Sequence, residues 1–122
     1  MLKLEIIIIS DVHSNLEALN AVSEDISHLP IYCTGDIVGY GANPKEVIQW
    51  MKKSKTKAVL GNHDYAVITG NSEWFNAEAI AAINWTSKHI GSTEKEYLSN
   101  LSEIDIVSIG DLKIKVYEEN YW

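Results

Sequence analysis

Acidic, amide and imidazole side chains follow three apolar runs of the sequence, at the point where each run ends. Asp11 and His13 come directly after the first run, Asp36 follows the second, and the segment 62–64 (Asn-His-Asp) follows the third. Residues i and i+2 of an extended segment point the same way, so Asp11 and His13 can face one point. A glycine precedes Asp36 and another precedes Asn62, and both allow a tight bend. The spacing therefore predicts one polar site built from three loops.

Two carboxylates, an imidazole and an amide oxygen form a mixed oxygen and nitrogen ligand set. Such a set suits Mn²⁺, Fe, Zn²⁺ or Ni²⁺ better than Ca²⁺. With Asp36 in the middle, its carboxylate can bridge two ions about 3.5–4 Å apart. His63 would lie beside the ions, where it can contact a phosphoryl oxygen or protonate a leaving group, and Asp64 can orient its imidazole. Each motif alone is also explained as an ordinary turn, and only the combination favours a metal site.

The three apolar runs are predicted to be parallel strands of one sheet. They cover residues 3–10, 31–34 and 57–60, and the first is predicted to be buried on both faces because its second half does not alternate. Amphipathic helices are predicted between them, beginning after Asn15 and Asn43. Strands alternating with helices predict parallel pairing with right-handed crossovers, and such sheets build their sites at the carboxyl ends of strands. The predicted fold class is α/β.

The second half of the chain carries helical patterns followed by a β-hairpin. One helix is predicted over about 76–90, and Thr93 and Glu96 have capping-box spacing before a short helix. The runs "IDIVSI" and "LKIKVY" flank a Gly-Asp pair, which predicts a two-residue hairpin turn. The hairpin either joins the edge of the parallel sheet or pairs with its counterpart in a second chain.

Composition and charge narrow the classes of function. The net charge is −7, which argues against strong nucleic-acid binding, and the ten basic residues are all lysines, so no bidentate arginine clamp on phosphate is available. The lone cysteine, Cys33, stands in an apolar run and is predicted to be a buried small side chain. The N-terminal apolar segment is too short for a membrane span, so no membrane association and a cytoplasmic location are expected.

The motifs "SDVHSN", "TGDIVGYG" and "LGNHDYAV" resemble the first three motifs of the calcineurin-like metallophosphoesterases. The segments "DIVGYGANPKEVI" and "EWFN" resemble the small prokaryotic branch of that family in particular. The resemblance implies a sandwich of two sheets with helices outside and hydrolysis of phosphate mono- or diesters at a dinuclear metal site. It implies metal ligands at Asp11, His13, Asp36 (bridging) and Asn62, with His63 as the catalytic or phosphate-contacting imidazole.

The chain departs from the family pattern in its second half, where the family has further histidine ligands. After "LKIKVY" the sequence has Glu118 where a ligand histidine would stand. Glu118 is either a substitute ligand or part of a solvated tail. The resemblance thus indicates residues 1–122 as a single domain that lacks the C-terminal half of the family fold. Without that half, apolar surface would be exposed. It would be covered either by a second copy of the chain, forming a homodimer, or by a separate chain that supplies the second half.

Two functions from different classes follow. The preferred one is a hydrolase that uses two divalent metal ions on a phosphorylated small molecule or nucleotide, with a single ion retained if the missing ligands are not replaced. The alternative is a weak or inactive truncated homologue that binds a metal, a phosphate or a partner. Tyr40, after "DIVG", either lines the substrate opening or packs internally. The sequence does not select the natural substrate or the metal.

Overall fold

A computed structural model describes residues 5–26 and 28–118 of the chain. Three short parallel strands, β1 (Ile7–Ile9), β2 (Ile31–Cys33) and β3 (Lys57–Ala58), form a sheet in the order β1-β2-β3. Two further strands form a separate antiparallel hairpin, β4 (Ile104–Ile109) and β5 (Leu112–Tyr117). The predicted α/β class, the parallel pairing and the hairpin are confirmed.

Five helices complete the described part of the chain. The helix α1 crosses from β1 to β2 and α2 crosses from β2 to β3, while the other three lie between β3 and the hairpin. None of these helices is long and apolar enough to cross a membrane. Their bounds are α1 Leu16–Ser23, α2 Pro44–Lys53, α3 Asn62–Thr69, α4 Ala77–His89 and α5 Ser92–Ser99.

Adjacent residues of β2 point into two separate cores on opposite faces of the parallel sheet. Cys33 is fully buried in the larger core, which the helices cover, and Met51 and Leu98 are also fully buried there. Tyr32 faces the smaller core, where it packs with side chains of the hairpin. Successive side chains of a strand point to opposite faces of the sheet, which explains why Tyr32 and Cys33 lie in different cores. The parallel sheet is therefore the middle layer, with helices on one face and the hairpin on the other.

The hairpin packs on one face of the parallel sheet and does not extend its edge. Val107 and Val116 are each 6% exposed and pack against Tyr32 and Val59, and the chain before β4 makes one parallel bridge, from Ser102 to Val59. Of the two alternatives for the hairpin, joining the sheet edge is therefore not seen, because β4 and β5 pair only with each other among the described strands. Ile106, on the outward face, is 63% exposed.

Two predictions about the elements need correction. Strand β1 is shorter than the predicted run, and Ile8 is 57% exposed, because nothing described covers that part of the hairpin-side face. The predicted capping box of α5 is displaced by two residues: the helix begins at Ser92, and the Glu94 side chain accepts a hydrogen bond from the backbone N–H of Gly91 at 3.0 Å. The first four residues and the last four lie outside the described residues.

Candidate metal centre

The first two predicted site loops are joined by backbone hydrogen bonds beyond the ends of β1 and β2. The N–H of Asp11 donates to the carbonyl of Gly35 at 3.1 Å, and the N–H of His13 donates to the carbonyl of Asp36 at 2.9 Å. The bonds continue the pairing of the two strands into the loops. Asp11, His13 and Asp36 are therefore brought to one edge of the sheet, as the sequence predicted. The extended backbone expected at Asp11 and His13 is wrong, because both residues have positive φ.

The third loop reaches the same point through the turn at Gly61. A Cβ on Gly61 would lie 2.2 Å from the backbone nitrogen of Asp36, so only glycine permits this approach. Gly61 is also the N-cap of α3, a helix that the sequence did not predict, and His63 lies in its first turn. The N–H of His63 donates to Oδ1 of Asp36 at 3.0 Å, which fixes the helix end against the second loop.

Asp64 is a fully buried residue that holds these loops together. Its Oδ1 accepts from the N–H of Val38 at 2.9 Å, and its Oδ2 accepts from the N–H of Gly61 at 3.0 Å. Burial raises the pKa of Asp64 to about 7, and the backbone bonds act in the opposite direction. The expected role in orienting the His63 imidazole is not seen, because the hydrogen bonds described for this carboxylate come from backbone donors. The contacts make Asp64 a positioning residue.

The site loops contain several residues other than glycine with positive φ. The left-handed conformation costs a non-glycine residue roughly 1–3 kcal/mol, and such residues cluster at functional sites. The packing of the loops on each other must offset this cost. The residues are Asp11, His13, Ser14, Asp36 and Tyr40, with φ between +47° and +57°.

His13 is oriented as a metal-binding imidazole would be. Its Nδ1 lies 3.0 Å from the carbonyl oxygen of Val38, which can only accept, so Nδ1 carries a proton and Nε2 is left for contacts on the other side of the ring. That Nε2 lies 3.6 Å from Oδ1 of Asp11 and 3.6 Å from Oδ2 of Asp36. A backbone carbonyl behind the imidazole fixes the ring of many metal-ligating histidines in this way.

Glu118 belongs to the site, and its expected alternative as a solvated tail residue is wrong. Its Oε2 accepts a hydrogen bond from the backbone N–H of Asn62, at the first turn of α3, and its side chain is hydrogen-bonded to Asp36. Burial raises the pKa of Asp36 to about 6 and, together with the bond to Asp36, raises that of Glu118 to about 8. Near neutral pH the hydrogen-bonded carboxyl groups of Asp36 and Glu118 therefore share a proton. A bound cation can take the place of that proton.

His63 lies in an aromatic surrounding and is 7% exposed. Its ring centroid is 4.7 Å from that of His13, 4.9 Å from Tyr40 and 4.9 Å from Phe75. Burial, and next the charge of His13, lower its pKa to about 4, so the ring is neutral at pH 7. Its Nδ1 is buried without a hydrogen-bond partner among the described residues. An unpaired buried nitrogen is costly, which indicates that a ligand of the site uses it.

The side chains form two groups that share Asp36. In the histidine cluster, one potential ligand atom from each of His13, Asp36 and His63 lies within 4.8 Å of the others. In the acid cluster, the same is true of Asp11, Asp36 and Glu118. The donor types and the fixed His13 ring fit divalent metal ions. Asn62, the remaining predicted ligand, is adjacent through the bond from its N–H to Glu118.

Three contributors to the site lacked a clear sequence signal. Phe75 was not singled out for contact with His63, although it lies in the quoted segment "EWFN". The glycines on either side of Tyr40 press against the two histidines, because a Cβ on Gly39 would lie 2.7 Å from Nδ1 of His63 and one on Gly41 would lie 2.3 Å from the carbonyl oxygen of His13. The Gly-Tyr-Gly spacing was the available signal.

Known proteins share this arrangement of motifs and its fold. The family model for calcineurin-like phosphoesterases matches residues 4–120. The chain is 47% identical over 105 residues to an uncharacterized protein of Methanocaldococcus jannaschii, covering 83% of this chain and 43% of that protein. It is 35% identical over 97 residues to the symmetrical bis(5'-nucleosyl)-tetraphosphatase of Proteus mirabilis, covering 64% of this chain and 36% of that protein.

A solved structure of a metallophosphoesterase also has a similar fold. The metallophosphoesterase from Sphaerobacter thermophilus superposes with a TM-score of 0.72 at 38% identity, over 87% of this chain and 44% of that one. The chain spans less than half the length of each of these relatives. Since the family match covers almost every residue, including all three loops of the metal centre, the chain belongs to the calcineurin-like phosphoesterase family.

Proposed function

We propose that the chain hydrolyses phosphate mono- or diesters at a site that holds two divalent metal ions. The observation that carries the proposal is the shared carboxylate: Asp36 offers ligand atoms within 4.8 Å of those of His13 and also within 4.8 Å of those of Glu118. The family implies divalent metals. Bound ions would neutralise the charge that develops on the phosphoryl group during an in-line displacement.

The proposed ligands form two sets, one for each ion. Asp11 and His13 would hold one ion and Asn62 and Glu118 the other, with Asp36 shared between them. The geometry around His13 supports its part, since Nε2 lies 3.6 Å from a carboxylate oxygen of Asp11 and of Asp36.

His63 is proposed to act on the substrate. It is neutral near pH 7 because burial lowers its pKa, so it can donate one N–H hydrogen bond to a phosphoryl oxygen. Asp64, which the sequence suggested as a second catalytic residue, is proposed to act through position alone, by fixing the backbone beside His63.

Nucleotide phosphoesters are the proposed substrate class. The support is the similarity to a relative named as a bis(5'-nucleosyl)-tetraphosphatase, which is 35% identical over 97 residues. The metal-bound site itself recognises only the phosphoryl group, so the organic part of the substrate must be selected by residues around it.

The test measures metal content and hydrolysis on the same preparations. Metal-free protein is loaded with Mn²⁺, Zn²⁺, Fe²⁺ or Ni²⁺, and hydrolysis of p-nitrophenyl phosphate and of its diester is followed. Asp36→Asn should lose activity with every metal. Asp105→Asn removes the same charge from an exposed position of the hairpin and should keep wild-type activity. Metal binding without hydrolysis in the wild type would instead favour the binding-module alternative.

Self-association is proposed as well, through the exposed apolar residues of β1 and the hairpin. Ile8 is 57% exposed and Ile106 is 63% exposed, and within the described sheet β1 pairs on one side only. A two-fold dimer would cover these residues, and such dimers are the commonest homo-oligomers. Sedimentation equilibrium at micromolar concentration decides this. A well-folded monomer would contradict it.

A further inference from the structure

Tyr40 is an exposed aromatic residue beside the two histidines of the metal centre. Its ring centroid lies 5.1 Å from that of His13, nearly perpendicular at 78°, and 4.9 Å from that of His63. Yet 51% of the residue is exposed, so the contacts with the histidines leave half of it to solvent. The ring therefore borders the opening of the site and does not serve as core packing.

The loop that carries Tyr40 is held against both histidines by its flanking glycines. Gly39 has φ +94° and approaches His63 so closely that a Cβ would lie 2.7 Å from Nδ1. Gly41 donates its N–H to the carbonyl oxygen of His13 at 2.9 Å. These contacts leave the loop little freedom, and the ring is fixed in direction before any ligand arrives.

The backbone at Tyr40 is itself strained. Its φ is +53°, in the left-handed region that a bulky side chain adopts at a cost of roughly 1–3 kcal/mol. Glycine or asparagine would adopt the same turn more easily. A half-exposed aromatic side chain at such a position contributes little burial to offset the strain, which points to a role outside folding.

We propose that the Tyr40 ring forms one wall of the substrate entrance and stacks on an aromatic group of the phosphoester, a nucleobase or an aryl ring. This inference rests on the proposed function, since it requires the phosphoryl group at the shared Asp36. A group joined to that phosphorus through a few bonds would meet the ring, which lies about one side chain away from both histidines. Tyr40 is thus a specificity-determining residue that selects aromatic over aliphatic esters.

The ring, and not the hydroxyl group, is the contributing feature. Stacking needs a flat, exposed face, and one base on one aromatic side chain contributes about 1–3 kcal/mol, or about 5- to 150-fold in affinity. Tyr40→Phe keeps the ring and Tyr40→Leu removes it. All three residues meet the same backbone strain, because none of them favours positive φ, so the pair of variants isolates the ring.

The test compares two ligands that differ only in the base. Adenosine 5'-monophosphate and ribose 5-phosphate are titrated calorimetrically into Mn²⁺-loaded protein, with metal content measured on each sample. The wild type and Tyr40→Phe should prefer the nucleotide by about 5- to 150-fold. Tyr40→Leu should bring the ratio close to one and leave the affinity for ribose 5-phosphate unchanged. Trp85→Leu, which removes another exposed aromatic residue, should keep the wild-type ratio.

Three results would overturn the inference. They are a wild-type ratio near one, a Tyr40→Leu ratio equal to that of the wild type, and a loss of preference in Tyr40→Phe, which would assign the role to the hydroxyl group. Released phosphate is assayed in each titration, and affinities are taken at a temperature at which none is released, so the outcome is separable from the proposed function. An intact ratio in a protein that hydrolyses no ester would sustain the role of Tyr40 in binding and remove only the catalytic proposal.

Discussion

The histidine cluster and the acid cluster share one carboxylate but differ in chemistry and in exposure. In the histidine cluster, His63 is 7% exposed and two of the three side chains offer nitrogen. The acid cluster offers only oxygen, and the side chain of Asp11 is 59% exposed. Imidazole suits Zn²⁺, Fe and Ni²⁺, whereas carboxylates suit Mn²⁺ and other hard ions. The difference teaches that two groups of potential ligands can share one carboxylate and still differ in the donor atoms that they offer a metal.

The largest expected effect comes from removing the shared residue. Asp36→Ala should abolish binding at both clusters, because each loses its common ligand and the acid pair loses its partner. Metal content per chain, measured by plasma emission after dialysis against Mn²⁺ or Zn²⁺, should fall to background. Wild-type metal content in a folded Asp36→Ala protein would show that neither cluster is a metal site.

His63 tests whether the histidine cluster uses all three of its members as ligands. If His63 acts on the substrate, His63→Ala should leave metal content nearly intact and reduce turnover by roughly 10²–10⁴-fold, the usual contribution of a positioned acid–base group. Turnover and metal content are measured on the same sample of a wild-type preparation that hydrolyses the ester. A parallel loss of metal would make His63 a ligand and refute the role assigned to it.

Glu118 tests the ion that it is proposed to hold together with Asn62. Glu118→Gln removes the charge and keeps the size of the side chain, so one ion should bind roughly 10–100-fold more weakly while the other is unaffected. Competition with a metal-sensitive dye gives both constants. Glu103→Gln, an exposed residue before β4, is the matched control and should behave as the wild type. Equal weakening of both ions would mean that Glu118 supports the loops and does not ligate.

The smallest effect concerns the residue that holds both clusters in place. Asp64→Asn leaves one acceptor oxygen for two backbone donors, the N–H groups of Val38 and Gly61. A buried donor without a partner costs about 1–3 kcal/mol, so the free energy of unfolding should fall by that amount. Urea titration of metal-free protein measures it. Unchanged stability would show that water replaces the lost acceptor.

Much of the site's position was predictable because strand order determines which loops meet. Three strands linked by two helices pair in parallel, so the residues after them, including Asp11, Asp36 and His63, converge at one edge. The hairpin was predictable for a local reason, since alternating runs flank the Gly110-Asp111 turn. Both inferences depend on signals within a short stretch of sequence.

What the sequence did not predict depends on contacts between distant segments. Helix α3 was missed because "NHDYAVIT" has no apolar period, and its first turn is held by Asp36 and Glu118 from elsewhere in the chain. The place of Glu118 itself depends on where the hairpin lies on the sheet, which no local pattern specifies. The exposure of Ile8 likewise depends on how far the hairpin reaches across the sheet.

The chemical reactivity of the buried residue Cys33 reports how often the loop after β2 opens. Cys33 ends β2, is fully buried, and its thiol donates to the carbonyl oxygen of Gly35, the residue before the shared aspartate. Burial raises its pKa to about 12, so the thiolate that reacts with alkylating reagents is scarce while the loop is closed. The rate at which Cys33 is modified therefore measures how often the end of β2 separates from its surroundings. A ligand that holds the loop after β2 in place will slow this modification.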